Sequence, residues 1–559
     1  MSTPSGSEEG ASERGLARSG AVVGGAVLAS RLLGLIREQV FAGFFGAGRE
    51  LDAFITAFRI PNLFRDLFAE GALSAAFVTT FSQKLEKEGE ASAWRLANLV
   101  VHALALVVGG IVVLGILCAP QLVDVIAPGF AATPGKTELT VFLTRLLFPF
   151  LLLIALAAVA MGMLNAKGRF GVPASASSFF NLGSIVTGLA TAWWLAPEYM
   201  SELWESGGRS VVSSEAAARA ITGMAVGTLI GGALQLLVQV PSLYRVNYRY
   251  RPVLSFRDSG LRKVLALMAP ATIGAAAVQV NVMVNSNFAS TLGDGAVSWL
   301  NVAFRFTQLP IGLFGVAIGV VALPAVSRRV AHDDMRGFND TVTRALGLVF
   351  LLTIPSAIGL AVLAPQVIGL VYEYGRFGSH DTAMAAEALV AYSIGLAGYA
   401  NIKVLVPAFY ALGDARTPAL VSCLSIAVNA TLNWVAIRHF GFGHAALALV
   451  TSCVALLNFL VLFVVLTRRM GPAVGLGGVL LRTMLAAAAV ALACLATRAG
   501  VAALLPLGSV SGRAVAVGAC LPVGALVFVW AGARLGLTEI TTVLARVGAL
   551  VRRGSSGGS

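Results

Sequence analysis

Eight ionisable residues crowd one stretch of an otherwise oily chain. Between Ala29 and Ala76 the sequence carries Arg31, Arg37, Glu38, Asp52, Arg59, Arg65, Asp66 and Glu70. An ionisable group at membrane depth costs a few kcal/mol and is functional by default. Guanidinium is the group for recognising clustered phosphate: it stays charged and its forked donors grip two oxygens at once. The chemistry this set could perform is therefore capture of a phosphate-bearing anion in a water-filled cavity. Glu38, Asp52 and Asp66 would hold the arginines in place or exchange partners with them. The competing reading is internal ion pairing, with arginines neutralising those acids or snorkelling to the interface. With Arg305 from a later span the arginines number five against the three acids Glu38, Asp52 and Asp66, which favours an anionic ligand.

Helical spacing decides which of these residues can share a surface. In the second apolar span Asp52, Arg59, Asn62 and Asp66 fall within a ~100° arc, with Arg65 beside Asn62. Pro61 lacks an amide donor and is expected to bend that helix. In the first span Arg31, Gly34 and Glu38 share a face and Arg37 points elsewhere. Arg145 and Lys403 are two further cations in apolar runs. Asn281, Asn285 and Asn287 could line a cavity, bind a cation or pack helices, and no other metal site is expected. Gly20/Gly24 and Gly315/Gly319 read as close-packing sites. Asp66 and Glu70 do not make a hydrolase, because no activated nucleophile, metal triad or phosphate loop accompanies them.

The background of these residues is membrane-like. Of 559 residues 57% are hydrophobic and 12% are charged, against nearer 25% charged in soluble chains. The net charge of +13 comes from 40 Lys and Arg against 27 acids. Five cysteines and five histidines show no ligand or disulfide spacing, so no cofactor is expected. The first ~15 residues are polar and the first apolar run is full-length, so no cleavable signal peptide is expected. The terminal GSSGGS is low-complexity.

A spanning helix needs about 20 mostly apolar residues. Apolar runs predict fourteen: 17–45, 51–83, 96–119, 138–165, 173–196, 218–244, 263–292, 297–326, 339–366, 382–411, 418–438, 444–467, 479–503 and 513–533. The fold class is thus an all-α polytopic membrane protein. With the N-terminus cytoplasmic, that side receives Arg14, Arg18, Lys84, Lys87, Arg95, Lys167 and Arg169, then Arg245, Arg249, Arg251, Arg257, Arg262 and Lys263. Arg328, Arg329, Arg336, Arg416, Arg468, Arg469, Arg534, Arg546, Arg552 and Arg553 follow. The other side gets singles: Arg49, Lys136, Arg209, Arg376 and Arg498. This asymmetry follows the positive-inside rule, places both termini in the cytoplasm and accounts for most of the net charge. A nucleic-acid partner is not expected.

Short motifs recur at one spacing. Phe58-Arg59 returns as Phe304-Arg305, 246 residues on, and Ala119-Pro120-Gln121 as Ala364-Pro365-Gln366, 245 on. NAKGRFGVPA (Asn165–Ala174) resembles ALGDARTPA (Ala411–Ala419), with Pro173 and Pro418 also 245 apart. The expected organisation is a tail at 1–16, a six-helix half at 17–250, a second at 251–470, two added helices within 471–535 and a tail at 536–559. Two six-helix halves inserted the same way up are related by an axis along the membrane normal, a plan used by transporters.

The segment SRLLGLIRE…DAFITAFRIPNLFRDLFAEGALSAAFV resembles the signature of the MurJ/MviN family of the MOP exporter superfamily, the lipid II flippases of bacterial cell-wall synthesis. Similarity continues through APGF (Ala127–Phe130), FPF…LNAKGRFGVPA, VSWLNVAFRFTQLP (Val297–Pro310), LPAVS (Leu323–Ser327), YGRF (Tyr374–Phe377) and KVLVPAFYALGDARTP, covering residues 17–470. The resemblance implies a twelve-helix core of two halves, with two further helices whose groove holds a lipid tail. It implies no enzyme but alternating access that carries the undecaprenyl-pyrophosphate-linked precursor from the inner to the outer leaflet of the bacterial cytoplasmic membrane. The partners it implies are lipid II, membrane lipids and other cell-wall synthesis proteins, with the protein itself a monomer. The family's essential arginines fall on Arg31, Arg37, Arg65 and Arg305, its acid after the second arginine on Glu38, and its second-helix Asp and Asn on Asp52 and Asn62. Arg59 can be Lys in relatives. Some members carry a sodium-binding Asp in the seventh helix, where this chain has Asn281 and Asn285, and Gln308 stands where some relatives have Glu. The alternatives are a flippase for another polyprenyl-linked glycan and a drug antiporter of the same superfamily. An antiporter would have twelve helices and an acid-dominated cavity.

Overall fold

The computed structural model describes residues 6–541 apart from 69–71 and 209–212, with side chains at 6–22, 66–72, 74–75 and 269–278 also outside the description. The side chains of Asp66 and Glu70 therefore lie outside the described residues, as do Arg209, Arg546, Arg552, Arg553 and most of the C-terminal tail. All secondary structure among the described residues is helical.

The chain divides into two compact units, Met1–Val297 with Tyr374–Phe377, and Ser298–Glu373 with Gly378–Ser559. The first holds α1 (Gly6–Phe45), α2 (Arg49–Phe68), α3 (Ala72–Glu88), α4 (Glu90–Leu117), α5 (Ala119–Ile126), α6 (Lys136–Leu147), α7 (Pro149–Ala166), α8 (Gly171–Leu195), α9 (Pro197–Ser206), α10 (Ser214–Leu237), α11 (Val240–Arg245) and α12 (Ser259–Ser290). Then come α13 (Ala296–Pro310), α14 (Ala317–Ala331), α15 (Met335–Val362), α16 (Ala364–Tyr372), α17 (Ser379–Ala411), α18 (Arg416–Trp434), α19 (His444–Met470), α20 (Leu476–Leu504) and α21 (Val510–Arg534). The repeat divides the sequence near residue 250, whereas compactness keeps α12 with the first unit.

Ten described helical stretches are long and apolar enough to cross a membrane, or eleven if the bent pair α8–α9 counts as one span. The chain is a multi-pass membrane protein. The three other expected spans are also helical, as α1, as α2 with α3, and as α12.

The repeat is visible in local backbone chemistry. A single residue separates the end of each long helix, α4 or α15, from an Ala-Pro-Gln that opens a short helix, α5 or α16. Proline in a first turn gives up no hydrogen bond there and cannot continue the helix before it. The ends of α7 and α17 match as well. Gly168 and Gly413, 245 residues apart, both take left-handed φ, 70° and 74°. The amide after each closes the helix on the carbonyl five residues back, Arg169 on Leu164 at 2.8 Å and Asp414 on Phe409 at 3.0 Å. This is the Schellman closure that a glycine after the last turn permits.

Alternate loops of the first unit collect at opposite ends of its helices, as spanning helices require. At one end Lys263 Nζ donates to Gln83 Oε1 at 2.7 Å, Lys167 pairs with Glu90, and Asn98 Nδ2 donates to Arg249 O at 3.2 Å. At the other, Asn287 Nδ2 donates to Val125 O at 2.7 Å. The four residues Tyr374–Phe377 also pack at this second end. Arg376 N–H donates to Gly43 O at 2.8 Å, and the Arg376 guanidinium lies 5.7 Å over the Tyr199 ring. Gly375 sits at φ 59°, where an added Cβ would fall 2.2 Å from Gly43 O. Helices α8 and α10 meet through glycine: a Cβ on Gly227 would lie 2.2 Å from Gly188 Cα. Such small-residue contacts let helix backbones approach without a hydrophobic drive in lipid.

In the second unit α20 and α21 pair through Cys494 and Cys520, each Sγ facing the other residue's carbonyl at 3.6 and 3.5 Å. All five cysteines are free. Arg513, 6% exposed, anchors α21: its Nη2 meets Glu373 Oε1 at 2.6 Å and its Nη1 donates to Gly369 O at 3.2 Å. Arg498 Nη1 donates to Val362 O at 2.9 Å.

Candidate functional site

Helix α1 carries Arg31, Arg37 and Glu38. Gly34 faces α8: its missing side chain leaves room for Asn181, whose Nδ2 donates to Ser30 O at 3.1 Å. Arg31 is exposed, while Arg37 and Glu38 are half-buried. The Arg37 guanidinium lies 4.9 Å over the Phe180 ring and 3.8 Å from Glu38 Oε1. A flat guanidinium stacks on an aromatic face through its cation–π attraction.

Helix α2 is one continuous helix through Pro61 and carries the rest of the first-unit set. Arg59 turns toward α12 and donates from Nη1 to Ser286 Oγ at 2.5 Å. Asn62 and Arg65 lie further along and are half-buried. Asn62 Oδ1 is buried with no hydrogen-bond partner among the described residues. On α12, Asn281 and Asn285 are half-buried, while Asn287 binds the α5 carbonyl already described. The exposed Arg145 Nε donates to Ile116 O at 3.2 Å.

Asp52 behaves differently from what its place in the polar arc suggests. It is fully buried, and its Oδ2 accepts from Lys136 Nζ at 2.9 Å and from Gly295 N–H at 2.7 Å. Lys136 was a scattered single in the charge map. In the structure it is 1% exposed and also meets Asp294 Oδ1 at 2.7 Å. The readable signal was level rather than motif: Asp52 and Lys136 both open a helix on the same side of the bilayer. Arg305 belongs to α13 in the second unit and is exposed, as are Gln308 and, on α17, Lys403.

In the first unit, then, α1 and α2 carry four arginines and an amide oxygen, Arg31 exposed and Arg37, Arg59 and Arg65 half-buried.

A family model described as lipid II flippase MurJ matches residues 41–512. The chain belongs to the MurJ family. The lipid II flippase MurJ of Burkholderia cenocepacia is 35% identical over 446 residues, covering 79% of this chain and 82% of the relative. The probable lipid II flippase MurJ of Vibrio cholerae is 34% identical over 446 residues, covering 78% and 80%. Among solved structures, a lipid II flippase MurJ in an inward closed conformation aligns with TM-score 0.72 at 24% identity, over 93% of this chain and all of that one. An inward-facing multidrug resistance MATE family transporter of the MOP superfamily aligns with TM-score 0.63 at 15% identity, over 79% and 95%. At these identities the two structures speak for the fold alone. The matched span includes Asp52, Arg59, Asn62, Arg65 and Arg305, while Arg31, Arg37 and Glu38 precede it.

Proposed function

We propose that this protein moves lipid II, the undecaprenyl-pyrophosphate-linked peptidoglycan precursor, from the inner to the outer leaflet of the bacterial cytoplasmic membrane by alternating access. Family membership over residues 41–512, with arginines at the signature positions, carries this reading. In it the chain crosses the membrane fourteen times, as two six-helix halves plus α20 and α21, with both termini cytoplasmic. Arg31, Arg37, Arg65 and Arg305 bind the pyrophosphate, Arg59 and Asn62 assist, and Glu38 orients Arg37. A pyrophosphate is compact and multiply charged, so several guanidinium forks can engage it at once. The sugar and peptide would face water, and the polyprenyl tail would stay in lipid along the groove of α20 and α21.

The test is depletion of the resident flippase in a bacterial strain, followed by measurement of lipid II at the outer leaflet. Expression of this chain is expected to restore outer-leaflet exposure. Arg37→Ala, Arg65→Gln and Arg305→Gln should insert normally and restore none. Unchanged exposure on depletion and re-expression removes the transport claim, and full complementation by Arg37→Ala removes the site assignment. Arginine-to-lysine changes should retain part of the activity, because charge survives while the fork is lost.

A further inference from the structure

The Arg49 end of α2 is closed by residues that transport as proposed leaves without a task. Lys136 opens α6 directly after the left-handed Gly135. Its ammonium is enclosed by Asp52 at 2.9 Å, Asp294 at 2.7 Å and the Phe130 ring at 4.1 Å. Asp52 also accepts the amide of Gly295, which holds φ 92° in the turn between α12 and α13. Beside it the APGF turn presses on the end of α12. Gly129 N–H donates to Ser290 Oγ at 3.1 Å, and a Cβ on Gly129 would fall 2.4 Å from Ser290 O. Thr133 Oγ1 donates to Asp294 Oδ1 at 3.3 Å. Four elements therefore converge on one buried ammonium: α2, the 127–135 turn, α6 and the α12–α13 turn.

In a buried ion pair, removal of one partner strands the other. Of the two acids on Lys136, Asp52 is the buried one, 0% exposed against 43% for Asp294, so the Lys136–Asp52 pair is the part of the site that fixes α2. Asp52 lies two helical turns from Arg59 and about 15 Å along the axis from Asn62, at 1.5 Å per residue. A shift or rotation at Asp52 therefore reaches Arg59, Asn62 and Arg65 through a single helix.

We propose that Lys136 is a positioning residue of the transport site, acting through Asp52 to set the height and rotation of α2 and so of its arginines. This rests on the reading of those arginines as the pyrophosphate site. It also gives the APGF motif a purpose, as the floor on which the lysine is seated.

The experiment measures lipid II binding, thermal unfolding and hydrogen exchange on the full chain in nanodiscs, for wild type, R65Q, K136M, D52N, D52N/K136M and D294N. K136M should bind at least tenfold more weakly and show about tenfold faster exchange in the segments around Asp52 and Gly295. D52N/K136M removes both buried charges and should regain wild-type unfolding, yet still bind about tenfold more weakly. D294N keeps the Lys136–Asp52 pair and should bind within twofold of wild type. Wild-type binding in D52N/K136M overturns the positioning role, because the pair would then matter for folding alone. A tenfold loss in D294N overturns the assignment to Asp52. If wild type binds no better than R65Q, the transport reading fails. The exchange data still decide the mechanics: unchanged exchange in K136M overturns the clamp on α2.

Discussion

Arg513→Met should release α20 and α21 from the rest of the second unit. The arginine side chain is 8% exposed and that of Glu373 is 18% exposed, with 2.6 Å between Nη2 and Oε1. The substitution keeps an apolar stem but removes the donor to Glu373, the Nη1 bond to Gly369 O at 3.2 Å and the Nε bond to Leu507 O at 3.2 Å. A Cβ on Gly369 would lie 2.9 Å from the guanidinium carbon, so the arginine lies flush on α16 and no water replaces it without movement. Breaking a buried ion pair from one side costs about 3–5 kcal/mol. Glu373 keeps the hydroxyl of Thr382 at 2.7 Å and some exposure, so we take the lower end, about 3 kcal/mol. That corresponds to roughly a hundredfold more frequent opening of the helix pair. Cys494 and Cys520, 2% and 1% exposed, are native reporters of such opening. With Cys118, Cys423 and Cys453 replaced by alanine, their labelling by a small membrane-permeant thiol reagent should accelerate about a hundredfold in the Arg513→Met variant. Glu373→Gln should give a smaller increase, and the double variant less than the sum, because each single change strands a partner. Labelling within threefold of the parent would refute the assignment of Arg513 as the anchor.

Other outcomes follow from single contacts. Gly375→Ala meets both a left-handed φ and a 2.2 Å clash with Gly43 O, so it should destabilise by about 2–3 kcal/mol and lower the yield of folded protein on detergent extraction. Asp414→Asn should cost about 1 kcal/mol, read as a lower midpoint in thermal unfolding, because Asp414 Oδ1 accepts the first-turn amide of Thr417 at 2.9 Å. The Thr417 hydroxyl and amide and then Arg469 hold the Asp414 carboxyl far below the usual carboxylate range. A lowered folded pKa gives stability that is fully present above the unfolded value near 4 and is lost as pH falls through the folded value. Below about pH 4 the thermal midpoints of wild type and Asp414→Asn should therefore converge. Asp334, bonded to the Gly337 amide and Arg329, is lowered as well, and Asp334→Asn should show the same convergence.

Much of this architecture is legible from the amino-acid sequence. Hydropathy and loop charge place the helices, and the 245-residue spacing extends to the turn glycines Gly168 and Gly413 and to the helix breaks before Pro120 and Pro365. The arginines of α1 and α2 stand out because charge is rare in their surroundings. What sequence does not disclose is where a cation is buried. Lys136 and Arg513 sit at helix starts near the membrane boundary, where an exposed or snorkelling cation is the ordinary case. Their partners, Asp52 and Glu373, are 84 and 140 residues away in sequence. Arg31 and Arg37 differ in exposure for a similar reason, since Phe180 comes from α8. Burial is a property of the fold, and the one-dimensional pattern carries it only when the partner is nearby.

The residues Tyr374–Phe377 lie between helices of the second unit yet pack inside the first, with Arg376 bonded to Gly43 O and seated on Tyr199. Gene duplication would give two interchangeable halves, and this loan of four residues ends that independence. A fragment stopping at Val297 would be short of a piece of its own structure, with the Gly43 carbonyl and the hollow beside Gly46 uncovered. Expressed as two polypeptides, the halves should therefore be interdependent: the first would mature only when the second is made alongside it.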